Sequence, residues 1–493
     1  MSWNFLNWTV IFIYFLITIK VGIYFSKKNS STKDYFNGGN NIPAWVTACS
    51  IYSTALSSLS FMAIPASIFK NGWIMGMAPF GIMIMVLWAA HTFVPFFRQL
   101  NVNTAYEYLE NRFNQKFRII GSITFIIFHI IRVAVVLYLP VLAISEALPN
   151  INASLIVGIL ALLCVSYTSI GGIKAVVWSD AIQTIVLLIG AFIVTISGII
   201  SVPSHVNIIS TLNNNEFIIN KHMFSINLQD KTLIGIIIGG FLNSIYAYVG
   251  SQDIVQRYNT TKTTKEAQKS LYMNIPLLFT SVIIFVGMGT GLFLFFNFSK
   301  VLPKNISGNS ILPYYIIHYL PKGISGLVIA GIFAASQSTI SSSLNSITTC
   351  ITKDFVGVYW KIDDKKELKI AKYISWIVGI TSSILALRFL KVGQGDIFLY
   401  FQGITGLLGS PIAGVFLIGI FIKKATSKEA CIGFIISIIV ALYIGNPMGI
   451  LNLIPMYKKP KIFEFLISFI VIFSCVSPAY LFSLFKNRKK IKF

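Results

Sequence analysis

A chain of 493 residues that is 55% hydrophobic and only 11% charged, with a mean hydropathy of +0.76, is not a string of soluble domains, which carry roughly a quarter charged residues. The 39 Lys and Arg against 16 Asp and Glu give +23; no basic stretch interleaves with aromatics, so the excess reads as membrane topology, and no nucleic acid is expected as a partner. Five scattered cysteines (Cys49, Cys164, Cys350, Cys431, Cys475) form no CxxC and indicate neither a disulfide framework nor a zinc site.

A membrane span needs about 20 mostly apolar residues, and the chain offers thirteen, numbered here from zero. Span 0 covers 5–26; it has no basic n-region and no small-x-small cleavage site, so it is expected to be retained, with Lys20 snorkelling near its end. Span 1 covers 42–69, span 2 72–97, span 3 119–148, span 4 153–170 and span 5 174–200. Beyond a 31-residue segment at 201–231 come span 6 at 232–250, span 7 at 271–297, span 8 at 324–349 and span 9 at 370–390. Span 10 covers 396–422, span 11 429–448 and span 12 463–485. With the N-terminus outside, the inner segments hold 26 Lys and Arg and the outer ones 11, with two left inside spans. That bias predicts N-out, C-in in a lipid bilayer.

Two spans break the apolar rule. From Thr47 to Ser60, seven of fourteen residues are Ser or Thr, and from Ser336 to Thr349 nine of fourteen are. Small hydroxyl residues let helices pack closely, yet both clusters lie near mid-membrane, where polar groups usually face a cavity or a ligand. A hard cation such as Na+ prefers oxygen donors, and hydroxyls and unwound carbonyls supply them without a full buried charge. At 100° per residue Ala335, Ser338, Ser342 and Ser346 share one face, flanked by Thr339 and Ser341. The Ser-Thr-Ala-Leu-Ser-Ser centre of span 1 (53–58) competes with its own backbone hydrogen bonds and suits a local unwinding.

Two ionisable residues are buried deeply in spans. Arg132 lies about 20 Å into span 3, with no acid in that span before Glu146; a bound carboxylate would match its guanidinium fork. His129, one turn earlier, either supports Arg132 or packs, and packing is the preferred reading of a lone histidine. Asp180 lies six residues into span 5 and is either structural or a cation ligand. Span 6 carries Gly235, Gly239, Gly240 and Gly250 around Asn243 and Tyr246, which suits either close packing or a second broken helix.

Polar, interrupted helices in corresponding positions of two halves mark secondary transporters. Spans 1–5 and 6–10 form two such five-span units, and because five is odd the second runs inverted. The expected organisation is a first peripheral helix and inner loop (1–41), a first repeat (42–200), an extracellular loop (201–231), a second repeat (232–422) and two peripheral C-terminal helices (423–493).

Four motifs carry a family resemblance. Thr104-Ala-Tyr-Glu-Tyr-Leu-Glu-Asn-Arg-Phe113 follows span 2, and Gly171-Gly-Ile-Lys-Ala-Val-Val-Trp-Ser-Asp-Ala-Ile-Gln183 enters span 5. Gln256-Arg-Tyr follows span 6, and Ala334-Ala-Ser-Gln-Ser-Thr-Ile-Ser-Ser-Ser-Leu-Asn-Ser346 runs along span 8. In this order, over about 50–355, they resemble the solute:sodium symporter family, and its sialic acid branch more than its sugar branch. The resemblance implies an all-α, LeuT-type inverted repeat and sodium-driven uptake. It implies one sodium between spans 1 and 8, held by the carbonyls of Ser53, Leu56 and Ala335 and the hydroxyls of Ser338 and Thr339, the last standing where Ser is commoner. A second sodium site would use Asp180, Ser338, Ser341 and Ser342. Arg132 would hold a substrate carboxylate, with Ser57 and Ser60 nearby, Ala55 standing where a Thr can occur, and Asn243 as a further candidate.

The sugar branch places longer polar residues at the positions of Leu59 and Ser60, so the expected substrate is an anionic sugar, sialic acid (N-acetylneuraminic acid) first. The alternatives are another small carboxylate, an amino acid such as proline, or a neutral sugar. No HExxH or suitably placed GxSxG stands in the chain, so an enzyme is not expected. A sensor would be expected to carry a soluble signalling domain, and only Lys486 to Phe493 follows span 12; no filter-like loop or charged ring suggests a pore. No obligatory protein partner is indicated, and the expected location is the cell membrane, as the inner or cytoplasmic membrane of a bacterium.

Overall fold

The computed structural model describes residues 4–26, 31–100, 102–147, 152–219, 223–225, 231–304, 306, 308–360, 362–392, 403–445 and 466–489. Parts of the 201–231 loop (220–222 and 226–230), the start of span 10 (396–402), the end of span 11 (446–448) and the start of span 12 (463–465) lie outside them.

Every regular element among the described residues is a helix. Ten helices are long and apolar enough to cross a membrane, or eleven with one bent pair. That pair is span 1, where Ala44–Ala55 and Ser58–Asn71 meet at 59°. Span 3 is the helix Gln115–Ala147 and span 8 is Ile324–Cys350. Large apolar side chains such as Phe12 and Ile17 of span 0, Ile380 and Ile384 of span 9, Ile439 of span 11 and Phe473 of span 12 are exposed on the perimeter, as a lipid-facing belt requires. Span 8 is the opposite: every residue from Val328 to Cys350 is buried. A hydroxyl-rich helix therefore runs through the centre of the molecule, and its polar atoms must all find partners there.

Two expected connections take a different form. Spans 4 and 5 emerge as one 48-residue helix, Ala153–Ile200, broken at Gly172 with φ +56° and ψ −160°. A Cβ there would sit 2.7 Å from the Tyr35 carbonyl oxygen, so a glycine is required on two counts. The predicted inner segment 251–270 begins with Gln252–Tyr258, a helix whose residues are all buried. Hydropathy places a boundary at Gly250 because polar residues follow it, but they face protein rather than water.

Span 6 both packs closely and breaks. A Cβ on Gly240 would lie 2.3 Å from the Ala78 carbonyl, and one on Gly81 of span 2 would lie 1.9 Å from the Ile237 carbonyl, so the two helices touch backbone to backbone. Further on, span 6 widens into a π-turn at Tyr246–Gly250 and breaks at Ser251 (φ −91°, ψ 120°).

The Thr104–Phe113 motif ties the bundle together at one end. Thr104 caps the helix Ala105–Arg112 by accepting from the Glu107 amide, and Glu107 accepts from the Asn103 amide in return, a reciprocal cap. Arg112 donates to four carbonyls, those of Gly419, Ile422, Lys423 and Ala425, at 2.9–3.1 Å. It thereby closes the last turn of the helix Ser410–Phe421, as a cation at a helix C-terminus should. Buried Asp354, just beyond span 8, accepts from Thr104 (2.6 Å), Arg118 Nε (2.9 Å) and Ser122. The foot of span 3 is thus fixed to the end of span 8.

Candidate functional site

Span 1 stops being helical at Leu56, whose φ −101° and ψ 100° are extended. Ser57, also extended, begins the next helix by accepting from the Phe61 amide at 3.0 Å. The break removes the i+4 donors that a continuous helix would give the carbonyls of Ser53 to Leu56. Two of these carbonyls are taken by neighbours. Ser338 Oγ on span 8 donates to the Ser53 carbonyl at 3.0 Å, and Arg132 Nη2 on span 3 donates to the Thr54 carbonyl at 2.5 Å.

The predicted face of span 8 does meet the interrupted segments. Ser338 also lies 3.1 Å, and Thr339 Oγ1 3.3 Å, from the Ala335 carbonyl. Four oxygens of the expected first sodium set, from Ser53, Ala335, Ser338 and Thr339, are therefore neighbours. Leu56 occupies the break itself. One turn on, Ser342 Oγ is 3.0 Å from Thr54 Oγ1 and 2.6 Å from Arg257 Nη2. Beyond it Ser346 and Asn345 donate to Gln256 Oε1 at 3.1 and 3.3 Å.

A cavity opens between spans 1, 2, 3, 6 and 7. Its lining includes all five expected substrate residues, Arg132, Ser57, Ser60, Ala55 and Asn243. The apolar lining includes Phe128, Phe285 and Leu59, so a few polar groups orient a ligand inside a mainly apolar wall.

Arg132 does have an acidic partner. Its Nη1 lies 3.0 Å from Asp253 Oδ2, on the short helix after the break in span 6. Asp253 Oδ1 accepts from Ser251 Oγ at 2.5 Å. His129 does more than pack: its Nε2 is 3.2 Å from Ser251 Oγ and its Nδ1 3.0 Å from Ser343 Oγ. A buried polar chain thus runs from span 8 through span 3 to the guanidinium in the cavity.

Asp180 is paired too, not with Arg132 but with Arg257, whose Nη2 is 3.0 Å from Asp180 Oδ2. The same oxygen accepts from Ser50 at 2.5 Å and from Ser342 at 3.5 Å. Of the expected second sodium set, Ser342 touches Asp180, while Ser341 Oγ donates to the Ser338 carbonyl at 3.2 Å. Asp180 Oδ1 is buried without a hydrogen-bond partner among the described residues.

Asp253, Arg257 and Ser251 are the residues of this network to which sequence reasoning gave no role in the site. The signal was an acid and a base at i and i+4, in Asp253-Ile-Val-Gln-Arg257, a helical spacing inside a segment read as loop.

The model of the Sodium:solute symporter family matches residues 35–437. A sodium/sialic acid symporter, SiaT, from Proteus mirabilis is 36% identical over 445 residues, covering 90% of each chain. Another, NanT, from Aliivibrio fischeri, is 35% identical over 454 residues, covering 90% of this chain and 88% of that one. A solved structure of a Na+-coupled sialic acid symporter, substrate-bound and outward-open, superposes with a TM-score of 0.89 at 34% identity, covering 98% of both chains. The structural neighbours are LeuT-fold transporters. The two broken helices, the hydroxyl-lined central span and a match running through nearly all of them place the chain in one group: it belongs to the sodium:solute symporter family.

Proposed function

We propose that this protein imports an anionic sugar, N-acetylneuraminic acid in the first instance, coupled to sodium and by alternating access. The observation that carries this reading is the cavity: a guanidinium and several hydroxyls converge on it, one residue from the carbonyl–hydroxyl cluster of Ser53 and Ser338. Sodium would be held by the carbonyls of Ser53, Leu56 and Ala335 with the hydroxyls of Ser338 and Thr339, pinning unwound span 1 against span 8. The substrate carboxylate would be held by Arg132, and its hydroxyls by Ser57, Ser60 and Asn243; Ala55 contributes wall rather than a hydrogen bond. Each ligand then raises the affinity for the other by the same factor. Asp180, Ser338, Ser341 and Ser342 form the second sodium site in this reading, supported by the unpartnered oxygen of Asp180.

The two repeats, 42–200 and 232–422, rock about this site. Thirteen spans follow if the 48-residue helix is divided at Gly172 and the short apolar helix Thr405–Phe421 is counted. Moving Arg257 out of the loop count leaves 25 inner against 11 outer basic residues, which still favours N-out, C-in across a bacterial cytoplasmic membrane.

Proteoliposomes loaded with the purified protein test the reading. An inward sodium gradient should drive accumulation of labelled N-acetylneuraminic acid, and equimolar potassium should not. Sodium-independent equilibration, or no uptake at all, would remove it.

A further inference from the structure

Arg132 and Asp253 are the cation and the anion that line the cavity among the described residues. Their side chains are 12% and 1% exposed, and they meet at 3.0 Å. The empty cavity is therefore neutral. A ligand carboxylate that takes the guanidinium fork contends with the buried Asp253 for Nη1, and Asp253 is held in place: Ser251 donates to its other oxygen at 2.5 Å, with His129 behind. The loaded cavity would then hold two carboxylates against one guanidinium, a net charge of −1 in a low-dielectric site, where an uncompensated charge is strongly unfavourable.

The sodium cluster adjoins this pair through a single peptide unit. The Thr54 carbonyl holds Arg132 Nη2, and the preceding carbonyl, that of Ser53, holds Ser338. One Na+ there cancels the charge that the substrate adds.

We infer that Asp253 is the resident counter-ion that makes sodium obligatory. It neutralises Arg132 while the carrier is empty, and it leaves the substrate-loaded, sodium-free cavity negative. Sodium linkage then comes from charge balance as well as from the seating of span 1. A cavity with Arg132 alone would already be neutral with substrate bound, and substrate could enter without the ion. The inference rests on the carboxylate-binding reading above.

The decisive comparison is the affinity for N-acetylneuraminic acid in sodium and in choline, for the full-length protein and for Asp253→Asn. In the unmodified protein the ratio of the two affinities should be at least about 100. In Asp253→Asn that ratio should fall at least tenfold, through tighter binding in choline, and sodium-independent uptake should appear in proteoliposomes. Asp253→Glu, which keeps the charge, should retain the large ratio. An unchanged ratio in Asp253→Asn, or an equal loss of affinity in both media, overturns the inference. If Asp253→Asn does not fold, the unmodified protein answers with the neutral methyl ester of the substrate. Its weaker binding should show a sodium ratio at least tenfold smaller than the acid's, and an equal ratio overturns the inference. Absence of sodium-dependent binding in the unmodified protein would instead remove the function on which it rests.

Discussion

Ser338 is the side chain through which span 8 reaches the broken backbone of span 1, with its hydroxyl 3.0 Å from the Ser53 carbonyl and 3.1 Å from that of Ala335. Ser338→Ala removes that hydroxyl from the proposed ion shell without changing helix propensity much. A lost hydroxyl interaction of about 1–1.5 kcal/mol should raise the sodium concentration for half-maximal uptake roughly tenfold, with substrate affinity at saturating sodium changing far less. Sodium titration of uptake checks this, and an unaltered half-saturation would take Ser338 out of the shell. At this scale the sequence was uneven. Arg132 stood out because a lone guanidinium in an apolar run has few innocent explanations. Its partner Asp253 did not, because it follows Gly250 where the apolar run ends, and a buried polar helix is indistinguishable in hydropathy from a solvated loop. The same blindness hid Arg257 and left Asp180 without its ion pair.

Among the elements, the unwinding of span 1 was legible because Ser and Thr side chains compete for backbone groups and cluster at 53–58. Span 6 was less so, since glycine density fits a break and a close contact equally, and both occur. The division between spans 4 and 5 was marked in the sequence by Gly171-Gly172, but the geometry there is a reversal of backbone hand within one long helix rather than a loop. Gly172→Ala tests how much that point matters. A side chain at φ +56°, with its Cβ 2.7 Å from the Tyr35 carbonyl, should cost about 1–3 kcal/mol. Thermal unfolding in detergent should show a Tm lower by several degrees. An unaltered Tm would mean that the 31–40 segment shifts freely to make room.

For the molecule as a whole, the charge moved per cycle separates the one-sodium and two-sodium readings. One sodium with a monovalent anion moves no net charge, whereas two move one, which gains about 2.3 kcal/mol per 100 mV. Resident groups such as the Arg257–Asp180 pair return to their starting place in each cycle, so only the cargo counts and a second sodium adds its charge in full. The unpartnered Oδ1 of Asp180 leads us to expect two. An inside-negative potential should then stimulate uptake, and Asp180→Asn should bring the sodium Hill coefficient down to one. Indifference to the potential would leave Asp180 and Arg257 as a structural pair. Membrane residence was readable at this scale from composition, whereas fold class and transport needed the span count, the two polar interruptions and the four family motifs.

The anchoring of span 3 has a mechanical side. Arg118, tied to Asp354 at the foot of the helix, and Arg132, at the cavity, are fourteen residues apart, about 21 Å along the axis. The proline of that helix, Pro140, comes after both, so the intervening stretch behaves as a stiff rod hinged at its base. Carrying the guanidinium about 3 Å, enough to leave hydrogen-bonding reach of Asp253, takes a tilt of only about 8° over that length. A long lever on a fixed pivot turns a barely visible rotation into the making or breaking of an ion pair at its tip.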